Sequence, residues 1–175
     1  MGKPFHDSAC LRLASEISTA RRRLPPRRSP VRRQTKRDTA RAMSQENVEI
    51  ARKAIDAFNR GGVDAWLRFL SPDVVWESLP LVGFRDVYRG RAEAREWLEQ
   101  LTEVFEEAHL EIEQITPLND DAVLNELTES GRGRGSGLPG EQRIWEIVWF
   151  AEGLITRRQP FSTRDAALEA AGLKE

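Results

Sequence analysis

Glu146 is the side chain of this sequence best suited to acid–base chemistry. It lies in the middle of an apolar strand candidate, and Ile144 and Val148 share its face. A carboxylate among apolar neighbours is costly unless it is protonated or paired with a cation, and either state suits proton transfer. The alternatives are a structural ion pair with Arg158 or Arg143, or a side chain that reaches solvent.

Four further side chains are candidates for a polar site near Glu146. Tyr88 precedes a predicted helix, in a loop that allows its hydroxyl to reach the mouth of a pocket as a second catalytic group beside Glu146; an edge aromatic is the equal alternative. Asn125 and Glu129 share a strand face with Leu127, and this face lines a pocket if it is concave. Arg158 carries the fork-shaped guanidinium that suits a carboxylate, so it is expected to anchor an anionic ligand.

The elements that must position these residues follow from hydrophobic periodicity. Trp97 and Phe105 fall on one face of a helix, where they line a pocket or fill the core. Trp76 and Val148 lie on strands and, with Leu127, are expected to contact a ligand in that pocket. Helices are predicted at about 45–59, 63–70 and 90–107, strands at about 74–77, 109–117, 121–130, 141–151 and 154–161, and a terminal helix at 163–171. This pattern predicts an α+β fold with three N-terminal helices packed on a curved antiparallel or mixed sheet. The sheet and helices form a cone-shaped pocket, and a short C-terminal helix follows.

The strand at 141–151 is apolar on both faces. Trp145, Ile147 and Trp149 lie on the face opposite Glu146. The helices of one domain cover one face of a sheet, and the other face then needs a partner. We expect a homodimer through the face with Trp145 and Trp149; the alternative is that loops of the same chain cover it.

Charge divides the chain at about residue 42. Residues 1–42 contain 12 Lys and Arg but 3 Asp and Glu, whereas the remainder contains 15 and 25. Residues 1–42 have too few apolar groups to form a core, so they are predicted to be a disordered Arg/Pro-rich leader. The sequence from Met43 resembles a natural start, and the leader is expected to be dispensable, whether or not it is a non-native extension. A basic arm for nucleic acid is the weaker alternative.

Composition excludes several classes of protein. One Cys and two His are too few for a zinc site of the usual spacing. No apolar run approaches the roughly 20 residues of a membrane span, and no secretory apolar region is present. The single cysteine fits a reducing compartment, so a cytoplasmic location is expected, with no membrane association and no cofactor.

Residues 43–175 resemble the SnoaL-like branch of the nuclear-transport-factor-2-like superfamily. Four stretches carry the resemblance: residues 58–76 with Phe-Asn-Arg-Gly-Gly and Pro-Asp-Val-Val-Trp, residues 88–91 with Tyr-Arg-Gly-Arg, residues 133–137 with Gly-Arg-Gly-Ser-Gly, and residues 167–173 with Ala-Leu to Gly-Leu. The resemblance implies an α+β cone whose pocket opens between the concave sheet face and the helices, and it places Glu146 on that face.

The resemblance implies a function only in outline, because one superfamily holds several activities. Steroid isomerases of this superfamily use a carboxylate base, a tyrosine and a protonated acid. By similarity these roles fall at Ser78, Ala54 and Glu146, and only Glu146 keeps the required group. We therefore expect a cofactor-free pocket protein of the cyclase or isomerase type for a small apolar or amphipathic molecule. The alternative is a non-catalytic binding or dimerisation module.

Overall fold

The structure is a computed structural model that describes residues 30–173, with side-chain environments from residue 41 onward. It confirms an α+β fold built on one curved, six-stranded sheet. In chain order the elements are α1 (Pro30–Asn59), α2 (Val63–Leu67), β1 (Leu70–Glu77), β2 (Val87–Arg89), α3 (Gly90–Val104), β3 (Phe105–Pro117), β4 (Ala122–Gly133), β5 (Pro139–Ala151), β6 (Leu154–Phe161) and α4 (Arg164–Ala170).

The sheet has the strand order β2-β1-β6-β5-β4-β3. The β1–β6 pair is parallel and the other pairs are antiparallel, so the sheet is mixed. The register of β3 against β4 shifts between Glu106 and His109 and again between Ile112 and Gln114. Such bulges bend a strand and increase its twist, and here they fall on the strand that contacts α1.

Helices α1, α2 and α3 cover one face of the sheet. Their apolar side chains pack with those of β1, β4, β5 and β6 in one core. Trp66, Trp76 and Trp97 meet at its centre, with the ring of Trp76 4.9 Å from that of Trp66 and 5.2 Å from that of Trp97. Two helices, α1 and α2, precede the first strand, and the third, α3, follows β2, so the three helices are not all N-terminal to the sheet.

The N-terminal boundaries differ from the prediction in two places. Helix α1 begins at Pro30, so residues 30–42 are helical where disorder is predicted; Arg, Lys, Gln and Ala in this segment are good helix formers. Strand β1 begins at Leu70 rather than Val74, because Leu70 pairs with Ile155 and Pro72 is accommodated where the register shifts. The prediction for residues 1–29 lies outside the described residues.

Helix α4 packs against the opposite face of the sheet. The side chain of Thr163 caps it by accepting a hydrogen bond from the Ala166 amide. Ala167 of this helix is buried with Ile147 of β5, and Trp145 and Trp149 are half-buried beside them. The chain therefore covers part of the face that the sequence assigns to a dimer partner.

Candidate functional site

Two adjoining cavities lie on the helix-covered side of the sheet. The larger, here called the outer cavity, has a volume of about 410 Å³. Its apolar wall comes from the segment after β1, from α3 and from the strands: Leu79, Leu81, Phe84, Trp97, Leu101, Phe105 and Ile144. Its polar wall includes Ser78, Glu129, Glu141, Gln142 and Arg158. The outer cavity is thus a mostly apolar space with a few polar groups, which is typical of small-molecule sites.

The smaller, inner cavity has a volume of about 40 Å³ and lies deeper between the sheet and α1. Its polar residues are Asn125, Glu129, Glu146 and Arg158. Its apolar residues are Ala51, Ala54, Ile55, Phe58, Trp66, Trp76, Trp97, Leu110, Val148 and Ile155. Trp97, Glu129 and Arg158 line both cavities, so these three side chains form the shared wall.

Glu146 and Arg158 form a buried ion pair in that region. Arg158 Nε donates to Glu146 Oε2 at 2.6 Å, and Asn125 Nδ2 donates to Glu146 Oε1 at 2.9 Å. The strand register explains why these three side chains are close together. Asn125 pairs with Glu146, and Arg158 pairs with Val148, two residues further along β5. Of the two states expected for Glu146, the structure shows the one with a cationic partner.

Arg158 is held by three kinds of contact. Besides the bond to Glu146, its Nη1 donates to the Glu77 carbonyl oxygen at 2.9 Å. Its guanidinium carbon lies 4.9 Å from the centre of the Trp76 ring and 5.6 Å from that of Trp97, within the range of cation–π attraction. Trp97 Nε1 in turn donates to Ser78 Oγ at 3.2 Å. These contacts orient one cation at the boundary of the two cavities.

Glu129 is the second carboxylate of the shared wall. It is half-buried, and Gln142 Nε2 donates to its Oε2 at 2.7 Å across the β4–β5 pair. None of the cations described in residues 41–173 forms a salt bridge with it. Glu129 therefore differs from Glu146, whose two oxygens are both engaged by buried groups.

Eight of the ten side chains predicted for the site line at least one cavity: Glu146, Trp76, Trp97, Phe105, Asn125, Glu129, Val148 and Arg158. Leu127 does not, because it packs in the core with Ile55 and Ile144.

Tyr88 corrects a second expectation. It is fully buried on β2, which pairs with β1. Its hydroxyl accepts from the Arg85 amide at 3.0 Å and donates to Gln100 Oε1 at 2.9 Å. The three-residue strand β2 that brings Tyr88 inward is not visible in the sequence, where residues 79–90 lack a strand pattern. The structure thus places Tyr88 away from both cavities.

Several cavity residues were missed by sequence reasoning. Leu79, Leu81 and Phe84 line the outer cavity from the segment between β1 and β2, and the signal available was a run of apolar residues in a predicted loop. Gln142 had no signal, because its role depends on strand register. Within residues 30–173, no group of His, Cys, Asp and Glu side chains is arranged to hold a metal ion, and none of the helices is long and apolar enough to span a membrane.

Solved structures with the same fold include proteins of low sequence identity. One from Catenulispora acidiphila, described as having a ketosteroid isomerase-like fold and solved with trimethylamine, is 18% identical with a TM-score of 0.58, covering 72% of this chain and 94% of that one. A protein from Mycobacterium tuberculosis solved with estradiol-17β-hemisuccinate is 17% identical with a TM-score of 0.60, covering 69% and 95%. A nuclear-transport-factor-2-like protein of unknown function from Burkholderia pseudomallei is 16% identical with a TM-score of 0.62, covering 71% and 95%.

No curated protein matches the sequence. The model of the SnoaL-like domain matches residues 51–158, which is more than half of the chain and includes α2, α3, β1 to β5 and all three residues of the shared wall. This match, together with the six-stranded curved sheet, shows that the chain belongs to the SnoaL-like family.

Proposed function

We propose that this protein binds a small amphipathic molecule in the outer cavity and moves a proton on it without a cofactor, as a cyclase or isomerase does. The observation that carries the proposal is the outer cavity itself. Its volume of about 410 Å³ falls within the roughly 300–1,000 Å³ of small-molecule sites. Trp97 and Phe105 line this space rather than filling it, which favours a ligand site over a purely structural core.

Arg158 is the proposed contact to an oxygen of the ligand. Its Nε and Nη1 are engaged by Glu146 and Glu77, and its Nη2 has no hydrogen-bond partner among the described residues. The side chain is 8% exposed and lines the outer cavity. A guanidinium held this firmly stabilises negative charge as it develops on a bound oxygen, because no reorganisation is needed.

Glu129 and Glu146 have different proposed roles. Glu129 lines the outer cavity outside any ion pair among the described residues, so its carboxylate is the proposed proton acceptor. Glu146 lines the inner cavity but not the outer one, and it forms an ion pair with Arg158. It is therefore proposed to act as a positioning residue through Arg158, and we still expect it to be essential to activity.

A binding experiment tests the proposal directly. The probe is 2-naphthol, titrated into the full chain and followed by isothermal titration calorimetry. Ala108 lines the outer cavity, so Ala108→Trp should fill it and abolish binding, whereas Ala108→Ser, which changes the volume little, should not. Equal binding of 2-naphthol to both variants, or no binding to the unaltered protein, would contradict the proposal.

A second candidate function is a dimerisation module. Trp145 and Trp149 are half-buried, and α4 covers only part of their sheet face. The expected homodimer through this face remains a proposal, as does the cytoplasmic location. This candidate does not compete with ligand binding, because the two features lie on opposite faces of the sheet.

A further inference from the structure

Two buried polar atoms of the inner cavity residues have no hydrogen-bond partner among the described protein groups. They are Trp76 Nε1, a donor, and Asn125 Oδ1, an acceptor. Trp76 is 7% exposed and Asn125 is 1% exposed, and both line the inner cavity. Buried polar atoms in folded proteins almost always have a partner, in the protein or in ordered water, so each of these atoms calls for one.

Both oxygens of Glu146, the buried carboxylate of the inner cavity, are already engaged. Asn125 Nδ2 and Arg158 Nε are bonded to the two oxygens of Glu146. Trp76 Nε1 is the only hydrogen-bond donor of its side chain, and its ring packs against Trp66 and the guanidinium of Arg158. No described protein group bonds to Trp76 Nε1 or Asn125 Oδ1, so the partners of these two atoms come from whatever occupies the cavity.

The cavity's size and chemistry restrict that occupant. A volume of about 40 Å³ admits roughly one to three water-sized groups, since each needs about 10–15 Å³. The occupant must accept from an indole N–H and donate to an amide oxygen. A carboxylate cannot donate and an ammonium cannot accept, whereas an O–H group does both. Among the charged side chains that line the cavity, the carboxylates of Glu129 and Glu146 outnumber the guanidinium of Arg158, which disfavours an anion.

We infer that the inner cavity is a hydroxyl-binding subsite, in which O–H groups accept from Trp76 Nε1 and donate to Asn125 Oδ1. The O–H groups come from buried water or from the hydroxyl end of the ligand in the outer cavity. The second source rests on the proposed function, because the ligand must pass the shared wall of Trp97, Glu129 and Arg158. The first source does not depend on it.

A high-resolution crystal structure of the full chain tests the water source. We expect ordered oxygens about 3 Å from Trp76 Nε1 and from Asn125 Oδ1. In Trp76→Phe, which lacks the donor, the oxygen at that position should be lost while the Glu146–Arg158 pair remains. An inner cavity without ordered oxygen, in which both atoms have turned to protein partners, would overturn the inference even if Trp76→Phe does not fold.

Paired probes test the ligand source. 2-Naphthol and naphthalene share the same body and differ by one hydroxyl, and both are titrated against the full chain by NMR. We expect 2-naphthol to bind at least about tenfold more tightly, and only 2-naphthol to shift the Trp76 indole N–H resonance, which Trp76→Phe identifies. This preference should fall in Trp76→Phe. In a crystal structure of the complex with 2-naphthol, the probe oxygen should replace the water beside Trp76 Nε1 and Asn125 Oδ1. This result would identify the ligand as the source of the O–H group.

The outcomes separate this inference from the proposed function. If neither probe binds, the proposed ligand binding fails, and ordered water at the two atoms still supports the subsite. If both probes bind equally and the inner cavity holds no ordered oxygen, the outer cavity is a ligand site and the hydroxyl subsite is refuted.

Discussion

Replacing Glu146 with Gln should destabilise the protein strongly, because it leaves a buried cation unpaired. Arg158 and Glu146 have side chains that are 8% and 9% exposed, with Nε and Oε2 2.6 Å apart. An amide at position 146 keeps the shape of the side chain but cannot neutralise the guanidinium. Removing one partner of a buried pair costs about 3–5 kcal/mol. At about 2–4 °C for each kcal/mol, the melting temperature should fall by roughly 6–20 °C.

The chain contains a matched control on the adjacent residue of β6. Arg157 pairs with Glu77 at 2.7 Å, but its side chain is 45% exposed and that of Glu77 is 21% exposed. Solvent screens this pair, so Glu77→Gln should cost less than about 1 kcal/mol. The two variants make the same chemical change and differ mainly in the burial of the carboxylate and its cation.

Urea unfolding followed by tryptophan fluorescence measures both changes in the free energy of unfolding, since three tryptophans surround the site. A third variant, Glu146→Gln with Arg158→Met, removes the stranded charge and should recover most of the loss. The reasoning is refuted if Glu146→Gln costs no more than Glu77→Gln, or if the double variant is less stable than Glu146→Gln alone.

Three further outcomes are expected. Tyr88→Phe should lower the free energy of unfolding by about 1–3 kcal/mol, because it strands the Arg85 amide and Gln100, while 2-naphthol binding by calorimetry stays unchanged; lost binding would return Tyr88 to the site. A chain that starts at Met43 should melt within a few degrees of the full chain, since the described core begins after that residue, and a loss of several kcal/mol would count against this. Trp149→Glu should convert a micromolar dimer to a monomer in light scattering, and a monomeric unaltered protein would exclude the dimer.

Much of the architecture was predictable because it depends on local periodicity. The alternation at 141–151 correctly separated Glu146 and Val148 from Trp145 and Ile147, and strand β6 was predicted with its observed bounds. These features follow from side chains that alternate across a strand. The resemblance to the SnoaL-like family is confirmed by the family match over residues 51–158.

Sequence periodicity does not predict elements whose position is decided by contacts between different segments of the chain. Strand β2 has three residues and is held by pairing with β1. A strand this short shows no alternation of apolar and polar residues in the sequence, so the prediction placed Tyr88 in a loop instead. Helix α4 covers Ile147 because of the direction that the chain takes after β6, and this direction is also not visible in the sequence. The helical segment at 30–42 departs from an expectation based on composition alone.

The sequence by itself determined that Glu146 would lie among apolar neighbours and would need either a proton or a cation. Only the tertiary structure decided that Arg158 meets it, through the register of β5 and β6, and that Glu129 and Gln142 face each other across β4 and β5. The physical reason is the range of the interactions. Burial preference is encoded residue by residue, whereas a 2.6 Å ion pair and a cavity's volume depend on the register in which separate strands are aligned.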